Sequence, residues 1–439
     1  MAVDPYRHAE SSRHDWASLC GSSNCARQTD TVRDVDPVRN PYAPGAGQRP
    51  PELAGRDREL GIFDVVLERI ARRRPERSVI LTGLRGVGKT VLLNTLRSQA
   101  INRLWGTGKI EARPDQPLRR PLSAALHMAV REIAPHHRAP DRIDDFLSVL
   151  KAFAVRSEIG EPPAKMRDRW RPGIDVAASS GRADSGDIEI DLVELLADAA
   201  SIATDVGTGI ALFIDEMQDL SPRDVSALCA ACHELSQTGA PLIVVGAGLP
   251  HLPAVLSAAK SYSERLFRYL RIDRLDRLSA DQALCAPAAR EHVDFEPKAL
   301  DVLYDASGGY PYFVQAYGKA TWDHAPQTPI TADDVRVAAP DAEAELAVGF
   351  FGSRFERATP AERDYMRAMA ALAGTDSDAD AAVPTAEIAR SLVRKPASLS
   401  PARDALIKKG LIYCGERGTV AFTVPHFARY LRTQPTPEG

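Results

Sequence analysis

The segment GLRGVGKT, residues 83–90, is the part of the sequence with the clearest chemistry. It fits the spacing G-x-x-x-x-G-K-[ST] at every position, and it stands between an apolar run and an amphipathic segment. Glycines at these positions let a strand-to-helix loop turn several backbone N–H groups towards one anion, and the start of the next helix adds its positive end. The segment therefore predicts a binding site for the phosphates of a nucleotide.

The residues of this loop have separate expected roles. We expect Lys89 to reach the β and γ phosphates and the Thr90 hydroxyl to bind Mg²⁺. The alternative is a glycine-rich turn that binds nothing, which the strand, loop and helix context disfavours. The residues predicted to contact ATP here are Gly83, Leu84, Arg85, Gly86, Val87, Gly88, Lys89, Thr90 and Val91.

A second motif, ALFIDE, supplies carboxylates suited to a metal site. Its four apolar residues predict a buried strand whose end delivers Asp215 and Glu216. We assign Asp215 to the Mg²⁺ site with Thr90, and we expect Glu216 to polarise the attacking water. The alternative is a strand that ends in two solvated acids. With the phosphate loop upstream, the two motifs predict ATP as the ligand, Mg²⁺ as the cofactor and ATP hydrolysis as the reaction.

The surrounding pattern indicates how these residues are positioned. From about residue 52, amphipathic segments alternate with short apolar runs at residues 78–81, 109–112, 211–214 and 241–246. Such alternation predicts an α/β domain over residues 52–276, with a parallel sheet and helices on both faces, as in P-loop NTPases. Residues 277–346 are predicted to form a helical lid subdomain of short helices.

The first 51 residues lack apolar periodicity, and residues 37–51 contain five prolines and two glycines. We expect residues 1–51 to be a disordered lead. Its first thirty or so residues differ so much from folded sequence that we hypothesise a mis-set start codon. Mass spectrometry of the native amino terminus tests this hypothesis.

Residues 347–439 carry a third pattern. Thr359, Pro360 and Glu362 signal a helix start, and two shorter helices are expected with caps at Thr385 and Ser400. A strand pair that turns at residues 415–418 follows. Three helices and a hairpin predict a winged helix-turn-helix domain.

Beyond the two motifs, the sequence resembles the AAA+ ATPases of the archaeal-type and initiator-like group and of the signal-transducing STAND class. The resemblance rests also on LAGRDREL, residues 53–60, and SGGYPYFVQAYG, residues 307–318, and covers the chain from residue 53 onward. It implies that Gly55 and Arg56 lie near the adenine base and that Pro311 belongs to a lid that closes over the nucleotide.

The sequence departs from this family at two places. The fourth core strand ends in Gly246, Ala247 and Gly248, where AAA+ enzymes usually have a polar side chain that senses the γ-phosphate. The lid also has proline where initiator-type lids often have an arginine. Both departures favour a slow switch in which bound ATP or ADP sets the conformation. For an arginine finger we select Arg265, with a solvated helix face as the alternative.

The resemblance leaves two interpretations of the last domain. Residues 385–432 contain nine Arg or Lys and three acids, a net charge of +6 in a chain of net charge −4. In one interpretation, a helix at residues 401–409 enters the major groove of duplex DNA. Its expected contacts are Arg403, Lys408 and Lys409, with Arg417 at the wing tip. In the other, the domain is an internal clamp on the ATPase domain, as in STAND-like proteins, and Asp404 on this helix agrees with that.

Composition sets the remaining expectations. The small net charge gives no whole-chain argument for nucleic acid or membrane, and no apolar run reaches the ~20 residues that span a bilayer. We therefore expect a cytoplasmic protein without a membrane partner. The leading hypothesis is a Mg²⁺-dependent, slowly hydrolysing ATP switch that binds ATP or ADP, an unknown protein partner and, depending on nucleotide, further copies of itself. The alternatives are an ATP-licensed DNA-binding protein, either initiator-like or a transcription regulator, and a scaffold that holds ADP permanently.

Overall fold

A five-stranded parallel sheet organises the first half of the chain. In the computed structural model, which describes residues 35–45, 47–114, 116–155, 174, 176–179, 181–373, 382–415 and 418–434, its order is β2-β3-β4-β1-β5. Within these ranges, no helix is long and apolar enough to cross a membrane. The strands are β1 (Ser78–Thr82), β2 (Gly106–Glu111), β3 (Ile210–Asp215), β4 (Leu242–Gly248) and β5 (Phe267–Arg271).

Alternating side chains of the strands pack into two cores, one on each face of the sheet. Val79 and Leu81 of β1 belong to one core, whereas Ile80 between them belongs to the other. The predicted parallel sheet with helices on both faces is therefore confirmed. The helices of this part are α1 (Asp57–Ala71), α2 (Lys89–Asn102), α3 (Arg119–Ile133), α4 (Pro140–Val155), α5 (Ile188–Val206), α6 (Pro222–Thr238), α7 (Leu252–Ala259) and α8 (Ser263–Leu266).

The fifth strand was not expected from the sequence. The predictions treat the segment around residues 261–275 as a possible helix face, but Phe267–Arg271 pairs in parallel with β1 from Ser78 to Thr82. Phe267 and Tyr269 pack against one core, and Leu270 packs against the other. The five residues FRYLR have no clear period of two, so the sequence pattern did not displace the helical interpretation.

Four helices form the predicted lid and bury its aromatic residues in the same core as β1. They are α9 (Arg277–Arg290), α10 (Pro297–Ser307), α11 (Pro311–His324) and α12 (Ala332–Leu346). Trp322 and Phe313 of α11 are almost fully buried. Because Pro311 begins α11, the first turn of this helix faces the phosphate loop, where Tyr312 N–H donates to Gly86 O at 3.2 Å.

The expectation of a disordered lead is wrong for residues 35–51 as far as they are described, and residues 1–34 lie outside the described residues. Tyr42 is buried, and its hydroxyl donates to Leu284 O at 2.6 Å. Trp322 Nε1 donates to Asp36 O at 2.8 Å. These contacts hold the segment against the lid, and apart from a short 3-10 helix at Pro37–Arg39 the segment packs without a helix or strand pattern.

The C-terminal region, residues 347–434, combines short helices with a small antiparallel sheet in the order β6-β8-β7. This order of helices and strands agrees with the element order expected for a winged helix-turn-helix, and that identification stays a prediction. A π-helical turn (Ala347–Gly352) is followed by α13 (Ser353–Glu356), α14 (Pro360–Leu372), β6 (Val383–Pro384), α15 (Thr385–Ser391), α16 (Pro396–Lys408), β7 (Ile412–Cys414), β8 (Thr419–Phe422) and α17 (Phe427–Thr433).

The predicted caps of this region have mixed outcomes. Thr359 and Glu362 form the expected capping box at the start of α14. The cap at Ser400 is wrong, because α16 begins at Pro396 and includes Pro401. Proline suits the first turn of a helix, so the earlier KP sequence starts α16, and Ser400 lies within it. The expected cap at Thr385 is also wrong, because Pro384 precedes α15 and no side chain caps that helix.

Candidate functional site

The phosphate loop, residues 83–90, connects the end of β1 to the first turn of α2. Gly86 and Gly88 have φ angles of 83° and 88°, a left-handed conformation that favours glycine. At Gly83 a Cβ atom would collide with the carbonyl oxygen of Ile272. The glycines of the motif are therefore required by the backbone, and the loop has the strand-to-helix setting that phosphate binding requires.

Lys89 lies beneath this loop with only 8% of its surface exposed. Its Nζ donates to Gly83 O at 2.9 Å and to Leu84 O at 2.7 Å, so that the lysine is bonded to the loop itself. Burial lowers its pKa to about 8; Arg85 also lowers it, whereas Glu216 and Asp215 act in the opposite direction. An anion above the loop would favour the charged form of Lys89.

The side chains of Thr90 and Asp215, the two predicted Mg²⁺ ligands, lie close enough to interact. Asp215 is 5% exposed at the end of β3. Burial raises the pKa of Asp215, and the side chain of Thr90 partly offsets that rise. A hydroxyl and a carboxylate are hard oxygen donors, and their contact makes this pair suitable for Mg²⁺.

Glu216, the carboxylate predicted to polarise the attacking water, is engaged with two side chains. Its Oε1 lies 3.0 Å from Arg85 Nη1, and its Oε2 accepts from Gln218 Nε2 at 2.6 Å. Burial alone would raise the pKa of Glu216, but Arg85, Gln218 and Lys89 together lower it. The residue also has φ = 51°, an uncommon conformation for a residue other than glycine. Glu216 is thus a carboxylate held in place by the phosphate loop.

Gln218 explains why the fourth strand ends without a polar side chain. Its Oε1 accepts from Leu249 N–H at 3.1 Å, and a Cβ at Gly248 would lie 2.8 Å from the same oxygen. At Gly246 a Cβ would collide with the sulfur of Met217. The turn after β3 therefore fills the space at the end of β4 and brings an amide to Glu216. Gln218 belongs to the segment DEMQD, residues 215–219, but the sequence alone did not indicate a role for it.

A cavity of about 340 Å³ opens above the phosphate loop, within the range typical of small-molecule sites. Its wall includes residues of the described lead, the phosphate loop, the start of α11 and the beginning of the C-terminal region, together with Glu216, Leu275 and Ala283. The predicted nucleotide-binding residues that line it are Arg56, Arg85, Gly86, Val87, Gly88, Lys89, Thr90, Val91 and Pro311.

Three other predicted nucleotide-binding residues do not line the cavity: Gly55, Gly83 and Leu84. Gly55 instead allows close packing on α9, because a Cβ there would lie 2.6 Å from Ser279 Oγ. Arg56 donates from Nη2 to Val87 O at 3.1 Å and to Asp273 O at 2.7 Å. It therefore supports the phosphate loop from the side, a role that its sequence position did not reveal.

The C-terminal region contacts the phosphate loop directly. Arg85 N–H donates to the carbonyl oxygen of Thr423 at 2.9 Å, and a Cβ at Gly410 would lie 2.9 Å from Arg85 Nη2. The ring of Phe350 stacks on Tyr312, with centroids 4.7 Å apart, and both side chains approach Gly86. Arg354 of α13 also lines the cavity. No sequence motif connected Phe350, Arg354, Gly410 or Thr423 to the nucleotide site.

Arg265, the predicted arginine finger, is exposed on α8. The next residue but one, Phe267, pairs with Ser78 at the beginning of β1, whereas the phosphate loop follows the end of β1. Arg265 thus lies at the opposite edge of the sheet from the phosphate loop of its own chain. A finger role remains a prediction that requires a second copy of the protein.

The predicted DNA contacts have different surroundings. Lys408 is exposed, whereas Arg403 pairs with Asp404 at 2.9 Å. Lys409 Nζ lies 2.6 Å from Glu362 Oε2 and also donates to Arg357 O, so this lysine stabilises its own region. Arg417 lies outside the described residues. The three described residues therefore have different surroundings, and a DNA contact by any of them stays a prediction.

Comparison with known proteins identifies two regions. Residues 52–245 match the AAA ATPase domain family, and residues 348–431 match a family described as Domain of unknown function (DUF8462). No curated protein matches the chain by sequence.

Among solved structures, the Walker-type ATPase PABY2304 of Pyrococcus abyssi is similar at 15% identity and a TM-score of 0.54 over 88% of this chain and 97% of that chain. The RuvB Holliday junction branch migration motor of Thermotoga maritima matches at 15% identity and a TM-score of 0.40, over 89% of this chain and 100% of that chain. Cdc6p of Pyrobaculum aerophilum matches at 13% identity and a TM-score of 0.40, over 92% of this chain and 98% of that chain. At these identities the first match shows a shared fold.

Proposed function

We propose that this chain, an AAA+ ATPase with its AAA ATPase domain in residues 52–245, is a slow ATP-dependent switch whose nucleotide state is transmitted to its C-terminal region. One arrangement carries the proposal. The side chain of Arg85 binds Glu216, and the backbone N–H of the same residue binds Thr423 of the C-terminal region. A single residue of the phosphate loop thereby connects the catalytic carboxylate with the region that covers the site.

The residues of the loop account for binding. Lys89 and the backbone N–H groups of the loop would hold the phosphates, and Thr90 with Asp215 would hold Mg²⁺. The ion would neutralise part of the phosphate charge. Lys89 would exchange its two bonds to Gly83 and Leu84 for bonds to phosphate oxygens.

Glu216 accounts for hydrolysis. The oxygen of a water molecule would attack the γ-phosphorus, the bond between that phosphorus and the β–γ bridging oxygen would break, and Glu216 would accept the proton of the water. In the observed arrangement both of its oxygens are engaged by Arg85 and Gln218. Glu216 must therefore exchange at least one of these partners for water, and this requirement supports slow turnover.

The experiment compares backbone amide exchange of the whole protein in three states: without nucleotide, with ADP, and with a non-hydrolysable triphosphate analogue. We expect a difference between the two nucleotides in the protection of residues 83–90 and 410–424. Lys89→Ala is the matched control and should show no response to either nucleotide. If wild type binds both nucleotides with identical protection of residues 410–424, the switch proposal is wrong. Nucleotide that copurifies without any turnover would instead support the permanent ADP scaffold.

A second candidate function, ATP-licensed binding of duplex DNA, has one favourable observation. Arg390 near the end of α15, and Arg394 and Lys395 in the turn before α16, are exposed. DNA binding through these residues should weaken steeply with salt, and Arg394→Gln with Lys395→Gln should flatten that slope. Absence of binding at low salt with ATP would exclude this function.

A nucleotide-dependent homo-oligomer belongs to the same proposal. Arg265 is exposed at the edge of the sheet remote from its own phosphate loop, so it would serve only a neighbouring copy. Light scattering with ADP and with the triphosphate analogue should show a larger mass with the analogue. An unchanged monomer mass in both would remove Arg265 from the catalytic residues.

A further inference from the structure

An arginine of the C-terminal region shares the cavity with the phosphate loop. Arg354 lies on α13, outside the AAA ATPase match and inside the matched domain of unknown function. It lines the same cavity as Arg85, Lys89 and Glu216. The lid has a tyrosine, Tyr312, and not an arginine directly after Pro311. Arg354 therefore supplies a cation to the cavity from a later segment of the chain.

The surroundings of Arg354 contain more positive than negative charge. Its guanidinium lies 4.5 Å from the centre of the Phe350 ring and donates to Phe350 O. Among the described residues, no ion pair joins Arg354 to a carboxylate. Burial, with smaller contributions from Arg85 and Arg357, lowers its pKa to about 10, and Tyr312 and Glu216 act in the opposite direction. A half-buried cation beside another cation is destabilising unless an anion compensates it.

The one cavity-lining carboxylate near Arg354 that is described, Glu216, is engaged with Arg85 and Gln218. The end of the cavity that contains Arg85 and Arg354 therefore has unmatched positive charge. Glu216 is also the residue expected to activate water, so the phosphate that is cleaved must lie at this end. Guanidinium groups bind phosphate oxygens in a bidentate manner, which a fixed arginine on a helix suits.

We propose that Arg354 binds the terminal phosphate of a nucleoside triphosphate and thereby makes the site prefer triphosphate over diphosphate. This inference rests on the proposed function. The terminal phosphate would connect the phosphate loop to α13, and its loss on hydrolysis would release that connection. Nucleotide state would reach the C-terminal region by direct contact as well as through Arg85.

The test measures binding by isothermal titration calorimetry with Mg²⁺, using ADP and the β,γ-imido analogue of ATP. For Arg354→Gln we expect roughly 10- to 100-fold weaker binding of the analogue, because a charged hydrogen-bonding partner is lost, and less than about 3-fold change for ADP. Arg357→Gln is the matched control. It removes the same charge from an exposed neighbour that does not line the cavity, and it should change both affinities by less than about 3-fold.

A second variant keeps the test decisive if the glutamine variant folds poorly. Arg354→Lys retains the charge but lacks the bidentate geometry, so we expect roughly 3- to 10-fold weaker analogue binding with ADP unchanged. Equal effects on both ligands, or no effect on either, would overturn the role of Arg354. If wild type binds neither ligand, the proposed ATP switch itself is wrong. If Arg354→Gln sharply lowers the midpoint of thermal unfolding without nucleotide and weakens both affinities equally, the residue acts in folding alone.

Discussion

The two ends of the nucleotide cavity are built in different ways. At one end, Lys89 and Thr90 from the first turn of α2 line the cavity, and Asp215 at the end of β3 interacts electrostatically with both although it does not line the cavity. At the other end, Arg85 and Glu216 meet Arg354 and Thr423 from a region more than 60 residues beyond β5. In the proposed function, binding of the inner phosphates would be local to residues 52–245, whereas control of the outer phosphate would depend on the C-terminal region.

Loss of the inner end should have the largest effect. Lys89→Ala removes the buried ammonium that would neutralise the phosphates, so we expect at least about 100-fold weaker binding of both ADP and the triphosphate analogue. Calorimetry with each ligand measures this. Comparable weakening by Arg357→Gln, which removes an exposed charge, would mean that the effect is not specific to the loop.

A change at the outer end should separate hydrolysis from binding. Glu216→Gln keeps the size of the side chain but removes the base, so we expect turnover to fall by about 100-fold or more and nucleotide affinity to change by less than about 3-fold. Steady-state phosphate release and calorimetry measure the two quantities. Equal turnover in wild type and variant would remove Glu216 from the catalytic residues.

The inner end should also respond to pH. Burial lowers the pKa of Lys89 to about 8, and phosphate binding requires the protonated form. Affinity for ADP should therefore be constant below that pKa and fall as pH rises through it, by about tenfold between pH 7 and pH 9. In Lys89→Arg the guanidinium stays charged, so its ADP affinity should be nearly flat over this range. A decrease of the same size in both proteins would assign the titration to another group.

Two adjacent lysines at the end of α16 should differ in their contribution to stability, which is a smaller effect. Lys409 is paired with the nearly buried Glu362, whereas Lys408 is exposed. We expect Lys409→Met to lower the free energy of unfolding by about 1–2 kcal/mol, because it leaves Glu362 without its partner, and Lys408→Met to change it by less than about 0.5 kcal/mol. Denaturant unfolding of the full chain measures both. Equal effects would mean that the Lys409 pair contributes nothing.

The sequence predicted the inner end well because its signals are local. The loop motif and the buried strand before Asp215 each depend on residues within a few positions of one another. These patterns were enough to predict the parallel sheet and the placement of Thr90 beside Asp215.

The outer end was not predictable in the same way, because it depends on contacts between distant segments. Nothing near Arg354 or Thr423 in the sequence resembles a nucleotide-binding motif, and the described lead lacks periodicity although it lines the cavity. Gln218 was within reach of the prediction, since it follows Glu216 by two positions, but its role depends on the space that Gly246 and Gly248 leave open. Lys409 was predicted to contact DNA because of its charge, and only the structure shows that it pairs with Glu362.

The central claim is that Arg85 restrains Glu216 while the C-terminal region covers the phosphate loop. Its most direct test is single-turnover hydrolysis of Mg·ATP at saturating protein, compared between wild type and Arg85→Gln. We predict that the variant hydrolyses ATP about 3- to 10-fold faster, since Glu216 loses an ion pair, and that adding Glu216→Gln abolishes this gain. An equal or slower rate in Arg85→Gln, with ATP fully bound, would contradict the account.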